Sequence, residues 1–209
     1  MHRPWVVASR NEGKLVELRA LFRTHGIGVV DLRDVGVTED ATAEDDIECF
    51  ETFEQNALAK ARYFSALLPG RIVVADDSGL VVDSLDGAPG VRSKRWSGRS
   101  DIGGAVLDAA NNALLVSSVA RHDDRSARFV CAAAWSNGRT TLVARGVVVG
   151  RIVNEPAGAA GFGYDPHVFV DELGMTMAQA TLDEKQHVSH RARAFLALFD
   201  LLRSEGAMK

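Results

Sequence analysis

The sequence predicts an α/β fold built on a mixed β-sheet, and two features carry that prediction. In the first half of the chain, short β-branched runs alternate with amphipathic helical segments, which is how parallel strands and their crossovers read. In the second half, strand follows strand, and the dipeptide Asn137-Gly138 between two of them is a strong hairpin signal. A length of 209 residues suits one domain, spanning 1–209, with room for two lobes.

Trp5-Val6-Val7-Ala8 reads as the first strand. The helix after it runs to about Thr24, with Leu15, Leu18, Leu21 and Phe22 on one face and a capping box formed by Ser9 and Glu12. Residues 27–32 form a second strand, and His25-Gly26 separates it from the helix. Residues 34–50 are acidic and irregular and read as a mobile loop. Thr52 and Gln55 cap a second helix carrying Ala57, Leu58, Ala61, Phe64, Ala66 and Leu68, which Pro69-Gly70 ends. Ile72-Val73-Val74-Ala75 is a buried strand ending at Asp76, and Leu80-Val81-Val82 is a further one. The segment 86–90 is a turn, and a third helix lies within 101–121. Residues 128–135, 140–149 and 151–153 read as successive strands, followed by a glycine-rich loop over 158–163 and a short strand at 167–170. Thr181 and Glu184 cap a short turn, and the last helix follows Ser189, with Ala192, Phe195, Leu196, Phe199 and Leu202 at helical spacing.

Bulk properties narrow the function. Hydrophobic residues make up 46% and charged residues 25%, an ordinary globular balance. A net charge of −4 makes a nucleic-acid partner unexpected, whereas a single nucleotide needs only a local cationic pocket. No apolar run approaches the ~18 residues that span a bilayer, so no membrane partner is expected. The two cysteines, Cys49 and Cys131, have no metal-binding spacing and read as reduced thiols of a cytoplasmic protein.

Four segments carry chemistry. Asp76-Asp77-Ser78-Gly79 stands at what reads as a strand mouth, where open α/β sheets hold ligands. Two crowded carboxylates raise a pKa unless a cation separates them, and Mg²⁺ with substrate phosphates is the usual answer; a plain strand-ending turn uses the same residues. Ser9-Arg10-Asn11-Glu12-Gly13-Lys14 joins a strand to a helix start, placing backbone N–H groups, a helix dipole and a lysine around one point. That is a phosphate cradle in physical terms, or simply a capped surface helix. Gly161-Phe162-Gly163-Tyr164-Asp165-Pro166 offers close backbone approach and two flat ring faces for a base, or a glycine-rich turn with two core aromatics. Lys185 and Ser189-His190-Arg191 add donors near a helix start.

Taken together these motifs resemble the inosine triphosphate pyrophosphatase family over nearly the whole chain. The resemblance rests on Ser9-x-Asn11-x-x-Lys14, Thr52-Phe53 with Asn56-Ala57, Ala75-Asp76-Asp77-Ser78-Gly79-Leu80, residues 87–91, Phe162 to Pro166, and Glu184-Lys185 with Ser189-His190-Arg191. It implies an elongated mixed sheet flanked by helices, two lobes with a central cleft, and a homodimer. It also implies Mg²⁺-dependent hydrolysis of ITP, dITP and XTP to monophosphate and pyrophosphate. By the same carry-over Ser9 to Lys14 hold the triphosphate and Ser78 contacts the nucleotide. Phe162, Gly163, Tyr164 and Asp165 flank the base, and Lys185, His190 and Arg191 complete the pocket. Asp77 is the general base or a metal ligand, aided by Asp76 and by a glutamate, Glu48, with Glu44 and Glu51 as neighbours in an unsure register. The sequence departs from the family at Glu48-Cys49-Phe50, in the valines of 147–149 and at Ala160. A Maf-like nucleotide pyrophosphatase and a catalytically silent nucleotide binder are the alternatives. Ser189-His190-Arg191 opposes the first, and retention of both aspartates opposes the second.

Overall fold

The computed structural model describes residues 3–38, 44 and 46–208. A seven-stranded sheet runs through the chain in the order β2-β1-β3-β4-β5-β6-β7. The strands are β1 (Trp5–Val7), β2 (Val29–Asp31), β3 (Val73–Val82), β4 (Ser126–Ser136), β5 (Thr141–Ile152), β6 (Val168–Val170) and β7 (Met175–Thr176). The sheet is mixed as expected: β1 pairs in parallel with β2 and β3, whereas β5–β6 and β6–β7 are antiparallel. The helices are α1 (Glu12–Thr24), α2 (Phe53–Leu67), α3 (Gly104–Val119), α4 (Leu182–Val188) and α5 (His190–Ser204).

The chain divides into two compact units. Unit 1 comprises residues 1–77, 131–146 and 191–209, and unit 2 comprises 78–130 and 147–190. In unit 1, the apolar stripes of α1 and α5 pack on Trp5, Val7, Val74, Cys131, Ala133 and Trp135. Phe22 sits edge-on to both Phe195 and Phe199, at 5.4 and 5.1 Å between ring centroids. In unit 2, Leu115 and Val119 of α3 pack on Leu80, Val82, Phe129, Val148, Ile152 and Val168.

Four local expectations change. The strand at 72–75 does not end at Asp76: β3 continues unbroken through Asp76, Asp77, Ser78 and Gly79 to Val82, because the flanking strands supply hydrogen-bonding partners on both sides. The strands at 140–149 and 151–153 are one, β5. The cap of α1 is Asn11, whose side chain accepts from the Lys14 N–H at 3.0 Å, and Ser9 supports it by accepting from the Asn11 N–H. The capping box expected of Ser9 and Glu12 therefore does not form. Of the acidic loop, 39–43 and 45 lie outside the described residues. Glu44 and residues 46–47 are helical.

Other signals hold. Thr52 caps α2, and Thr181 with Glu184 forms a full capping box on α4. Asn137 closes the β4–β5 hairpin by accepting from the Arg139 and Thr140 N–H groups. A six-residue 3₁₀ helix, Gly90–Arg95, and the two-residue β7 had no period long enough to be read.

Candidate active site

In unit 1 the site is built around consecutive residues of β3. Side chains alternate along a strand, so Asp76 and Asp77 leave it on opposite faces. Asp76 points with Val74 towards α1 and α5. Its Oδ2 accepts from Lys14 Nζ at 3.1 Å and from Arg191 Nε at 3.1 Å, and the Cys131 thiol lies 3.8 Å away. Burial at 1% exposure would push this carboxyl up, but Lys14, Arg191 and Lys60 outweigh it and hold the carboxyl well below the usual range. Its other oxygen, Oδ1, has no hydrogen-bond partner among the described residues.

Asp77 faces α2. The Asn56 amide donates to its Oδ2 at 2.9 Å. Burial, reinforced by the charge of Glu48, pushes Asp77 up to about 6, despite the lowering effects of Lys14, Lys60 and Asn56. Two neighbouring aspartates thus differ strongly in proton affinity because each meets a different set of helices.

Lys60, on α2, was not singled out in the sequence, where it reads as one more helical lysine. Its largely buried ammonium pairs with Glu48 and donates to the Asp76 carbonyl at 3.0 Å. Desolvation would lower its pKa, but the surrounding carboxylates raise it, so it stays charged. Glu17 was also missed; it accepts from Arg191 Nη1 one helical turn beyond Lys14. The register left unsure among three glutamates favours Glu48, whose charge reaches Asp77, whereas Glu44 is held by Arg10 at 2.7 Å.

Several expected binding groups have partners within the protein. The Arg10 guanidinium holds Glu44 and donates to the Val37 and Thr38 carbonyls at 3.2 and 3.0 Å. Glu12 pairs with Arg33 at the surface. Arg191, 2% exposed, binds Asp76 and Glu17. The sequence reading gave these three a nucleotide. In this structure Arg191 pairs with Asp76 and Glu17, Arg10 with Glu44 and the Val37 and Thr38 carbonyls, and Glu12 with Arg33. Lys14 and the first turn of α1 stay together beside Asp76, and Ser9, Asn11 and Gly13 form that turn's entry.

Unit 2 holds the remaining candidates. Lys185 Nζ donates to Asp165 Oδ2 at 2.7 Å, and both side chains are buried. The same carboxylate accepts from the Phe162 N–H at 3.3 Å, closing the glycine-rich loop on itself. Gly161 has φ +83°, and a Cβ there would strike both Asp165 Oδ2 and Lys185 Nζ. Gly161→Ala should therefore break this pair and lower the melting temperature by several degrees, checked by thermal unfolding. Tyr164 is buried and its hydroxyl donates to the Ser93 carbonyl at 2.8 Å, so it is a core residue with a fixed hydroxyl and not an open stacking face. Phe162 is half-buried. His190 stacks on Phe129 at 4.8 Å between centroids and 16° between planes. Ser78 follows Asp77 in β3 and is half-buried.

Among the described residues no three His, Cys, Asp or Glu side chains form a cluster able to hold a cation. Glu48, whose charge reaches Asp77, and Asp77 itself are the carboxylates that could hold Mg²⁺, an ion bound through one or two carboxylates completed by phosphate oxygens and water. No helix among the described residues is long and apolar enough to cross a membrane.

Comparison with known proteins bears on the fold. The model of the Ham1 family matches residues 5–201. A dITP/XTP pyrophosphatase of Bordetella parapertussis is 46% identical over 204 residues, which cover 96% of this chain and 92% of that one. A HAM1 protein from Coxiella burnetii superposes with a TM-score of 0.80 at 33% identity, covering 97% of this chain and all of the other. A nucleoside-triphosphatase/dITP/XTP pyrophosphatase of Mycobacterium abscessus superposes with a TM-score of 0.69 at 42% identity, over 94% of this chain and 98% of that one.

Proposed function

The chain belongs to the Ham1 family, and from that premise we propose that it hydrolyses deaminated purine nucleoside triphosphates (ITP, dITP and XTP) to the monophosphate and pyrophosphate. The observation that carries this reading is the divergence of Asp76 and Asp77. One carboxylate is locked in its charged form by Lys14 and Arg191, and the other titrates at about 6. Paired carboxylates with separated pKa values are how acid–base roles are assigned in active sites.

Asp77 serves as general base. A group titrating near the working pH combines the correct protonation state with driving force for proton transfer. The Asn56 amide fixes one of its oxygens, leaving the carboxylate oriented to take a proton from the attacking water. Asp76 does not exchange protons; it keeps Lys14 extended at the first turn of α1. There, Lys14 and the backbone N–H groups of that turn meet the triphosphate, and the helix dipole favours its charge. Glu48 and Asp77 are the residues that would hold Mg²⁺. When bound, the ion would neutralise phosphate charge and polarise the anhydride. In unit 2, Phe162 offers its ring to the purine, and Asp165, Lys185 and His190 supply polar contacts for the base. The resemblance adds two further expectations, a homodimer and a cytoplasmic location, which sedimentation and cell fractionation test.

Charges around Asp77 give a direct check. Lys60 lowers its pKa and Glu48 raises it. Lys60→Gln should therefore move the acid limb of the kcat/KM profile for ITP at fixed Mg²⁺ to higher pH; an unmoved limb or a shift to lower pH contradicts the assignment.

The activity itself is tested by phosphorus NMR of the protein with Mg²⁺ and ITP, with ATP as control. Inosine monophosphate plus pyrophosphate with ATP untouched is the expected result. Release of orthophosphate and a diphosphate would overturn it.

A further inference from the structure

Helix α3 lies outside every motif considered so far, yet two of its side chains reach the centre of the glycine-rich loop. Asp108 and Asn112 stand four residues apart and so share one face of the helix. Asp108 Oδ2 accepts from the Gly163 N–H at 2.9 Å, and Asn112 Nδ2 donates to the Gly163 carbonyl, also at 2.9 Å. One helical face therefore holds both polar groups of one loop residue.

Gly163 needs such a clamp. Its φ is +61°, in the left-handed region, and a Cβ placed on it would touch nothing within 4 Å. Crowding does not impose this conformation, so external hydrogen bonds hold it. The helix that supplies them is itself anchored. Asn111 accepts from the Ser97 N–H at 2.8 Å and donates to the Lys94 carbonyl at 3.1 Å. Ser93 in turn receives the Tyr164 hydroxyl through its carbonyl. Gly163 and Tyr164 are thus referred to one frame made of α3 and the 3₁₀ helix at 90–95.

We propose that Asp108 and Asn112 are positioning residues which set the aim of Phe162, and with it the binding of the base, by clamping the peptide groups of Gly163. The inference rests on the reading that Phe162 faces the purine. Neither residue need touch the nucleotide. Freeing the loop makes the nucleotide order it on binding, an entropic cost that appears in KM, while water activation by Asp77 in unit 1 is unaffected.

The test compares Asp108→Ala, Asp108→Asn and Asn112→Ala with the wild type. Amide exchange by NMR reads the clamp directly, and steady-state kinetics with ITP reads its consequence. In Asp108→Ala the Gly163 amide should lose protection while melting temperature and α3 amides hold, and KM should rise about tenfold, the effect of one lost hydrogen bond to a charged acceptor, with kcat within about threefold. Asp108→Asn retains an acceptor oxygen and should restore most of both. The Asp108→Ala and Asn112→Ala effects on KM should fall short of additive in the double variant, because both act through one residue. Lost Gly163 protection with unchanged KM, or a fall in kcat alone, overturns the positioning role and leaves the pyrophosphatase reading standing. Wild-type protein that releases no pyrophosphate from ITP overturns that reading, and the positioning role with it.

Discussion

Asp77→Asn is expected to lower turnover of ITP by about 10²–10⁴-fold, the usual contribution of a positioned general base. It should also make the metal-free protein more stable at pH 8. The two effects share one cause. Asp77 is 8% exposed and titrates at about 6 in the folded chain against 3.8 when unfolded. A raised carboxyl pKa means that the folded state binds the proton more tightly. The carboxylate therefore costs nothing below about pH 4, and its cost grows as pH rises to about 6 and stays constant above. Two units correspond to on the order of 3 kcal/mol. An asparagine carries no charge to desolvate and still offers an oxygen to the Asn56 amide. Thermal unfolding in EDTA at pH 3 and pH 8 should show the variant gaining over the wild type only at pH 8. Unchanged turnover, or an unfolding midpoint below wild type at both pH values, would sink the assignment.

Arg191→Met is the second large effect, with the opposite sign. Arg191 is buried against Asp76 and Glu17. Removing one partner of a buried ionic group leaves uncompensated charge and typically costs about 3–5 kcal/mol, which is roughly 10 °C in melting temperature for a domain of this size. Its dependence on pH also differs from that of Asp77. The depressed pKa of Asp76 gives stability that is fully present above the unfolded value of 3.8 and is lost as pH falls further. The Arg191→Met deficit should thus be largest at neutral pH and shrink in strong acid. Denaturant unfolding at pH 7 and pH 3 measures it. A deficit that grows on acidification would show that Asp76 is not the partner that matters.

Much of this was legible in the residues. The alternation of apolar runs and capped helices predicted a mixed sheet, and the hairpin dipeptide and the α4 capping box were found where the sequence put them. What the sequence could not show was pairing at a distance. Lys14 and Arg191 both read as nucleotide-binding donors near a helix start, because nothing local tells that a strand far away in sequence delivers Asp76 between them. Lys60 was invisible for the same reason. The strand was cut short at Asp76 because charged residues inside a buried strand break the apolar pattern on which the reading depends. Only long-range ion pairs make that position tolerable. Asp108 and Asn112 belong to the same class, since their meaning depends on a loop some fifty positions away.

The unbroken course of β3 has a consequence for how this enzyme can change. The division of labour between its two aspartates depends on parity along the strand, since each is assigned its helices by the face it leaves from. A single-residue insertion or deletion between Val73 and Asp76 would exchange the faces. A deletion would put the proposed general base in the slot between Lys14 and Arg191, and an insertion would turn the other aspartate towards Asn56. Both aspartates would still be present in the sequence, and the chemistry would be gone. A variant of this chain that keeps both aspartates but gains or loses one residue in this stretch should therefore be inactive, which ITP turnover measures.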